Sequence, residues 1–132
     1  MMGPDVLPGS PEDWLRRAKG KLLLARQPLP DGAFWEDLCY MAQQAAELAI
    51  KAVYRSRNLR FAFVHDLAQL LEGLEQAGMT VPEDIRQAEK LTIYATQMRY
   101  PGMSGFATKE DYAEVLAIAQ DTMAWAEAII NK

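Results

Sequence analysis

The chain has a single cysteine, Cys39, and a single histidine, His65, among 132 residues. One cysteine excludes an intramolecular disulfide and fits a reducing compartment. One cysteine and one histidine also argue against a structural zinc site, which usually takes four nitrogen or sulfur ligands; no metal site and no cofactor are expected. No apolar run approaches the roughly 20 residues that span a bilayer. Positive charge is in deficit: the formal net charge is -4, which argues against a broad nucleic-acid footprint of clustered Lys and Arg. Met1 to Ser10 has neither a basic n-region nor a long apolar h-region, and a cytoplasmic protein is the expectation. Sustained period-2 alternation is missing too, so no strand of note is expected; Phe61 to Val64 is too short and isolated to make a sheet.

What remains is helical, and 132 residues suffice for one domain with a real core. Residues 1–10, with Gly3, Pro4, Pro8 and Gly9, look like a loose arm, and 11–132 like a single domain. A first helix is predicted from Pro11 to about Arg26, with Ser10 as N-cap and Glu12 and Asp13 at its positive end. Gln27 to Gly32 is a breaker cluster. A long second helix covers roughly 33–57. A third runs from His65 to Ala77 and stops at Gly78. Thr80 with Glu83 predicts a capping box for a fourth helix, Pro82 to Arg99. Tyr100-Pro101-Gly102 ends it, Met103 to Ala107 form a loop, and Thr108 with Asp111 caps a fifth helix to Ile130. The fold class is all-α: an antiparallel bundle of four main helices, with the first helix a fifth or shorter member.

The second helix carries the densest pattern. Alanines 42, 45, 49 and 52 fall three and four apart and share one face, which lets a neighbouring helix approach closely. Gln43, Glu47 and Lys51 form a polar row at i, i+4 steps. Sequential antiparallel helices would bring the end of the second helix, the start of the third, the end of the fourth and the start of the fifth to one pole. That pole would hold Lys51, Arg55, Arg57, Arg60, His65, Asp66, Arg99, Tyr100 and the loop through Lys109. Cations beside two helix N-termini suit a phosphate-bearing ligand. Simpler roles stand beside this: Asp66 as an N-cap, Glu47 and Lys51 as a structural pair, Arg99 bonding the last carbonyls of its own helix, the alanines as packing, and Trp14, Trp35 and Trp125 as core or interface anchors.

Three motifs in order extend the reading. Gln43-Gln44-Ala45-Ala46-Glu47-Leu48-Ala49-Ile50-Lys51-Ala52, then His65-Asp66-Leu67 with Leu70-Leu71, then Arg99-Tyr100-Pro101-Gly102 together resemble the HEPN domain (higher eukaryotes and prokaryotes nucleotide-binding) over essentially residues 10–131. The resemblance implies a four- or five-helix bundle, usually a homodimer. It also implies one of two functions. The first is a small nucleotide-binding or accessory module that works with a separate minimal nucleotidyltransferase in a toxin–antitoxin-like pair. Here Arg99 and Lys51 would hold phosphate charge, His65 and Tyr100 would contact base or ribose, Glu47 would orient Lys51, and Arg55 and Asp66 would lie at the same site. The second is a metal-independent ribonuclease, in which an Arg and a His on a late helix are separated by four to six intervening residues. This chain departs from that pattern, because no His follows Arg99; Arg60 and His65 have the spacing but precede the third helix. A ribonuclease would need His65 as general acid or base with Arg60 or Arg99 stabilising phosphate charge. A non-catalytic interaction protein is a third reading. Trp35, Tyr40, Met41 and Leu48 could offer an apolar strip to a twofold mate.

Overall fold

The Ser10 hydroxyl accepts the Asp13 amide at 3.2 Å and starts the first helix, α1 (Pro11–Ala25). The computed structural model describes residues 6–102 and 105–131, apart from the side chain of Arg99. Residues 1–5 of the expected arm, Met103 and Ser104 of the expected loop, and Lys132 lie outside the described residues. After α1 come α2 (Trp35–Ser56), α3 (Leu67–Gln76), a short α4 (Glu83–Arg86), 3₁₀ turns over Gln87–Tyr94 and Gln97–Arg99, and α5 (Lys109–Ile130). The described residues form an all-α bundle without strands, as the sequence leads one to expect. Among the described residues, no helix is long and apolar enough to cross a membrane.

The centre of the bundle is α2, with 13 buried residues among its 22. Its alanines at 42, 45, 46, 49 and 52 are fully buried, and α1 and α5 are its principal partners. Small residues face them in turn, with Ala18 and Ala25 on α1 and Ala119 and Ala126 on α5 all at 0% exposure. The larger core side chains are Ile50, Leu67, Leu70, Leu71, Leu74 and Leu91, each stabilising by about 1.5–3 kcal/mol.

α1 and α5 run antiparallel. The Tyr112 hydroxyl donates to the Ala25 carbonyl at 2.6 Å, and Lys19 pairs with Glu127 at 2.5 Å. The starts of α2 and α5 lie together, with the Trp35 and Tyr112 rings 5.1 Å apart and the Ala107 amide donating to Glu36 at 3.0 Å. This corrects the expectation that α5 begins at the pole where α2 ends.

The cause lies at Asn58. It adopts φ 55°, the left-handed conformation that asparagine tolerates after a helix. The Asn58 amide bonds the Arg55 carbonyl and the Leu59 amide bonds that of Tyr54, which closes α2 with a Schellman motif. The reversal is made here by non-helical chain. Residues 59–65 run back along α2 until His65 meets Glu47. The third helix therefore starts at Leu67 instead of His65, with Asp66 as N-cap accepting the Ala68 and Gln69 amides. It advances in the same sense as α2, the opposite of the expected antiparallel arrangement: the Tyr54 hydroxyl donates to the Leu70 carbonyl at 2.5 Å and lies against Gly73. Gly78 ends α3 with φ 94° and a second Schellman motif, the Met79 amide bonding the Leu74 carbonyl.

The predicted fourth helix is not continuous. Thr80 makes no capping box; Pro82 is the N-cap of α4, with no side-chain cap bond. One α-turn gives way to 3₁₀ geometry, and Thr96 breaks that with ψ -92°. Branched Thr92, Ile93 and Thr96 favour helix poorly, and the Thr92 hydroxyl accepts the Leu67 amide at 3.1 Å, at the head of α3. A 3₁₀ stretch rises about 2.0 Å per residue. The segment therefore overshoots the start of α3 and delivers Tyr100 to the beginning of α2, beside Phe34 and Tyr40.

Candidate functional site

The folded-back segment 59–65 builds a polar cluster on the flank of α2. Glu47, Gln43 and Lys51 share a helix face because they are four residues apart. Glu47 Oε1 accepts from Gln43 Nε2 at 2.9 Å and contacts His65 Nδ1 at 2.9 Å; Glu47 Oε2 accepts from Lys51 Nζ at 2.8 Å. Glu47 and Lys51 are buried, their side chains only 6% and 9% exposed, whereas the His65 side chain is 60% exposed. The cluster thus has an ionic base inside the bundle and an imidazole at its mouth.

Burial opposes ionisation of Glu47. The hydrogen bonds from Lys51, His65 and Gln43 and the charge of Lys51 outweigh it, so the carboxyl is held below its ordinary range. At neutral pH it is a carboxylate, and an ionised carboxylate only accepts hydrogen bonds. Gln43 is fully buried, and its Oε1 has no hydrogen-bond partner among the described residues. The amide is oriented by donating to Glu47, at the cost of an unsatisfied acceptor, about 1–3 kcal/mol.

Phe61 roofs the cationic side. Lys51 Nζ lies 5.1 Å and the Arg55 guanidinium carbon 4.9 Å from its ring centroid, within cation–π range. Trp14, Tyr54 and Phe63 meet the same ring edge-on at 5.3, 5.8 and 6.0 Å. Phe63 itself is 95% exposed.

Of the candidate residues named from the sequence, the fold brings Glu47, Lys51 and His65 into direct contact and sets Arg55 beside them on Phe61. Asp66 is engaged as the N-cap of α3. Arg60 lines a neighbouring groove with Tyr54, Gln69, Glu72 and Gln76. Tyr100 is not at this cluster. It lines a groove of about 410 Å³ with Phe34, Asp37, Tyr40, Met98 and Phe106; Tyr40 precedes Lys51 by eleven residues, about 16 Å of helix. The backbone of Arg99 ends the second 3₁₀ turn, and its side chain lies outside the described residues. Gln43 and Phe61 also belong to the cluster, beyond the residues expected there from the sequence. Gln43 was legible as the first member of the i, i+4 row, whereas Phe61 had no local signal, because its role depends on where the reversed chain lands.

Fold and site together define a small helical-bundle protein with a buried ion pair beneath an exposed histidine. The HEPN domain model matches residues 11–129, and the chain belongs to that family. Two solved structures share the fold. One is ST0689, an archaeal HEPN homologue, 27% identical, covering 92% of this chain and 98% of its own with a TM-score of 0.74. The other is TT1696 from Thermus thermophilus, 32% identical, covering 90% of this chain and 97% of its own with a TM-score of 0.78. No match was found among curated proteins.

Proposed function

We propose that this HEPN-family chain is a nucleotide-binding accessory module whose ligand meets the bundle at His65, and that it works as a homodimer with a minimal nucleotidyltransferase partner in a toxin–antitoxin-like pair. The observation that carries the binding site is the union of an exposed imidazole with a buried carboxylate–ammonium pair, Glu47 and Lys51. Arg55 supplies a surface cation next to it, and exposed Phe63 supplies a face for a base. Half-buried Met41 and Leu48 on α2 support a twofold mate. Calorimetric titration with ATP, GTP and their diphosphates is the test. Binding that weakens at least tenfold in His65→Ala and Arg55→Ala supports the reading; no heat with any of these nucleotides sinks it.

One observation favours the ribonuclease alternative. A histidine whose Nδ1 is held by a carboxylate has the arrangement that general acid–base chemistry uses. Incubation with RNA in the presence of a chelator separates the readings, because RNA cleavage abolished by His65→Ala favours catalysis and intact RNA rejects it. Co-purification with a protein partner and neither nucleotide binding nor cleavage would leave the interaction protein standing.

A further inference from the structure

The tautomer of His65 follows from its partner. Glu47 is ionised and can only accept, so the hydrogen in the 2.9 Å contact sits on His65 Nδ1. A neutral imidazole carries one N–H; Nε2 then has a free lone pair. With the side chain 60% exposed, that lone pair is within reach of solvent or ligand. The cluster is built at some cost to keep this arrangement. Gln43 donates to the same Oε1 that holds His65, and leaves its own carbonyl oxygen buried and without a partner among the described residues. Lys51 takes the other oxygen, so Oε1 is left to Gln43 and His65.

We infer that Glu47 is a positioning residue that locks neutral His65 in its Nδ1–H form, so that Nε2 meets the ligand as a hydrogen-bond acceptor. The ligand class selected is one that offers an O–H or N–H at this point, such as the ribose hydroxyl of a nucleotide. A bare phosphate oxygen has no proton to give and does not suit neutral Nε2. The assignment of ligand class rests on the nucleotide-binding reading above; the tautomer does not.

His65 is the only histidine in the chain, so nitrogen-15 labelling of histidine reports on this ring alone. Where the ring is neutral, the spectrum should show a protonated Nδ1 and an unprotonated Nε2. Free neutral imidazole side chains favour the opposite tautomer. In Glu47→Ala combined with Lys51→Met, which removes the buried charge pair together, the ratio should invert. Circular dichroism establishes that this double variant is folded; Gln43→Met, which keeps Glu47 and Lys51 and frees Oε1 for the ring, serves as a second variant and should retain the Nδ1–H form, an inversion there overturning the role of Glu47. Adding ATP should move the Nε2 resonance, and inorganic tripolyphosphate at the same concentration should not.

An Nε2–H tautomer in the wild type, or a ratio unchanged in the folded double variant, overturns the positioning role even if nucleotides bind. Equal Nε2 shifts with ATP and tripolyphosphate overturn the ligand class. With an intact Nδ1–H form, no Nε2 shift from a nucleotide that binds by calorimetry rejects the ligand class alone, and no shift together with no heat from any of the nucleotides rejects the nucleotide reading; both outcomes uphold the role of Glu47.

Discussion

Glu47 and His65 stand 18 residues apart in the chain and 2.9 Å apart in the fold. The contact joins the middle of α2 to the last turn of irregular chain before α3, and it converts a helix-surface row of polar residues into a cluster with depth. Its base is the buried pair of Glu47 with Lys51. Pairs of this kind contribute little net stability compared with apolar residues of the same volume, but removal of one partner strands the other.

Glu47→Ala should therefore destabilise the fold by about 3–5 kcal/mol, because Lys51 is left charged and buried. Adding Lys51→Met should recover much of the loss. Urea unfolding followed by circular dichroism measures both; a loss below about 1 kcal/mol for the single change, the size of an exposed pair, would show that the pair is solvated.

Acid should weaken the fold through the same carboxyl. Folding lowers the affinity of Glu47 for its proton. Its stabilising effect is thus complete above the unfolded value, about 4.3, and is lost as pH falls through the lower folded value. Unfolding free energy measured from about pH 5 to pH 3 should fall more steeply for wild type than for Glu47→Gln. Parallel curves would exclude this linkage.

Gly73 should resist replacement by alanine. Alanine favours helix over glycine by about 1 kcal/mol, yet a Cβ here would collide with the Tyr54 hydroxyl, which is fixed by its bond to the Leu70 carbonyl. A net loss of about 1–3 kcal/mol is expected from overpacking. Tyr54→Phe removes the colliding atom, so the double change should show a coupling above about 0.5 kcal/mol. Additive losses would show that the close approach of α3 to α2 is not set by this contact.

Cys39 should be inert. It is fully buried, and burial together with the charges of Asp111 and Glu36 pushes its thiol up to about 12. The thiolate is the reactive form. Reaction with a disulfide thiol reagent at about pH 8, near the ordinary cysteine value, should be negligible in the native protein and prompt in denaturant. Rapid native labelling would contradict the packing of α2 against the segment carrying Tyr94, whose phenol is likewise pushed up to about 12 by burial and then by Cys39.

Much of the helical content is written in local chemistry. Ser10 and Thr108 accept the amides three residues on and start α1 and α5 where their capping patterns stand, and Gly78 ends α3 in the left-handed conformation only glycine takes without strain. The alanine stripe of α2 was legible as a close-packing face for the same reason: spacing on a helix is fixed by 3.6 residues per turn. The HEPN motifs were legible as an ordered set. The fourth helix was not, because Thr92 is drawn into a bond with the head of α3, a partner 25 residues away that no local window contains.

The sequence by itself determined an all-α bundle, the caps at Ser10 and Thr108 and the shared face of Gln43, Glu47 and Lys51, since each depends on residues within a few positions of one another. Only the tertiary structure decided what that face meets. The left-handed turn at Asn58 sends the chain back as an irregular strap before α3 begins, and this carries His65 to Glu47 while the extended 3₁₀ path carries Tyr100 to the far end of α2. The direction of a returning segment and its rise per residue are set by the sum of packing over the whole bundle, and so they fix the site where spacing along the chain could not.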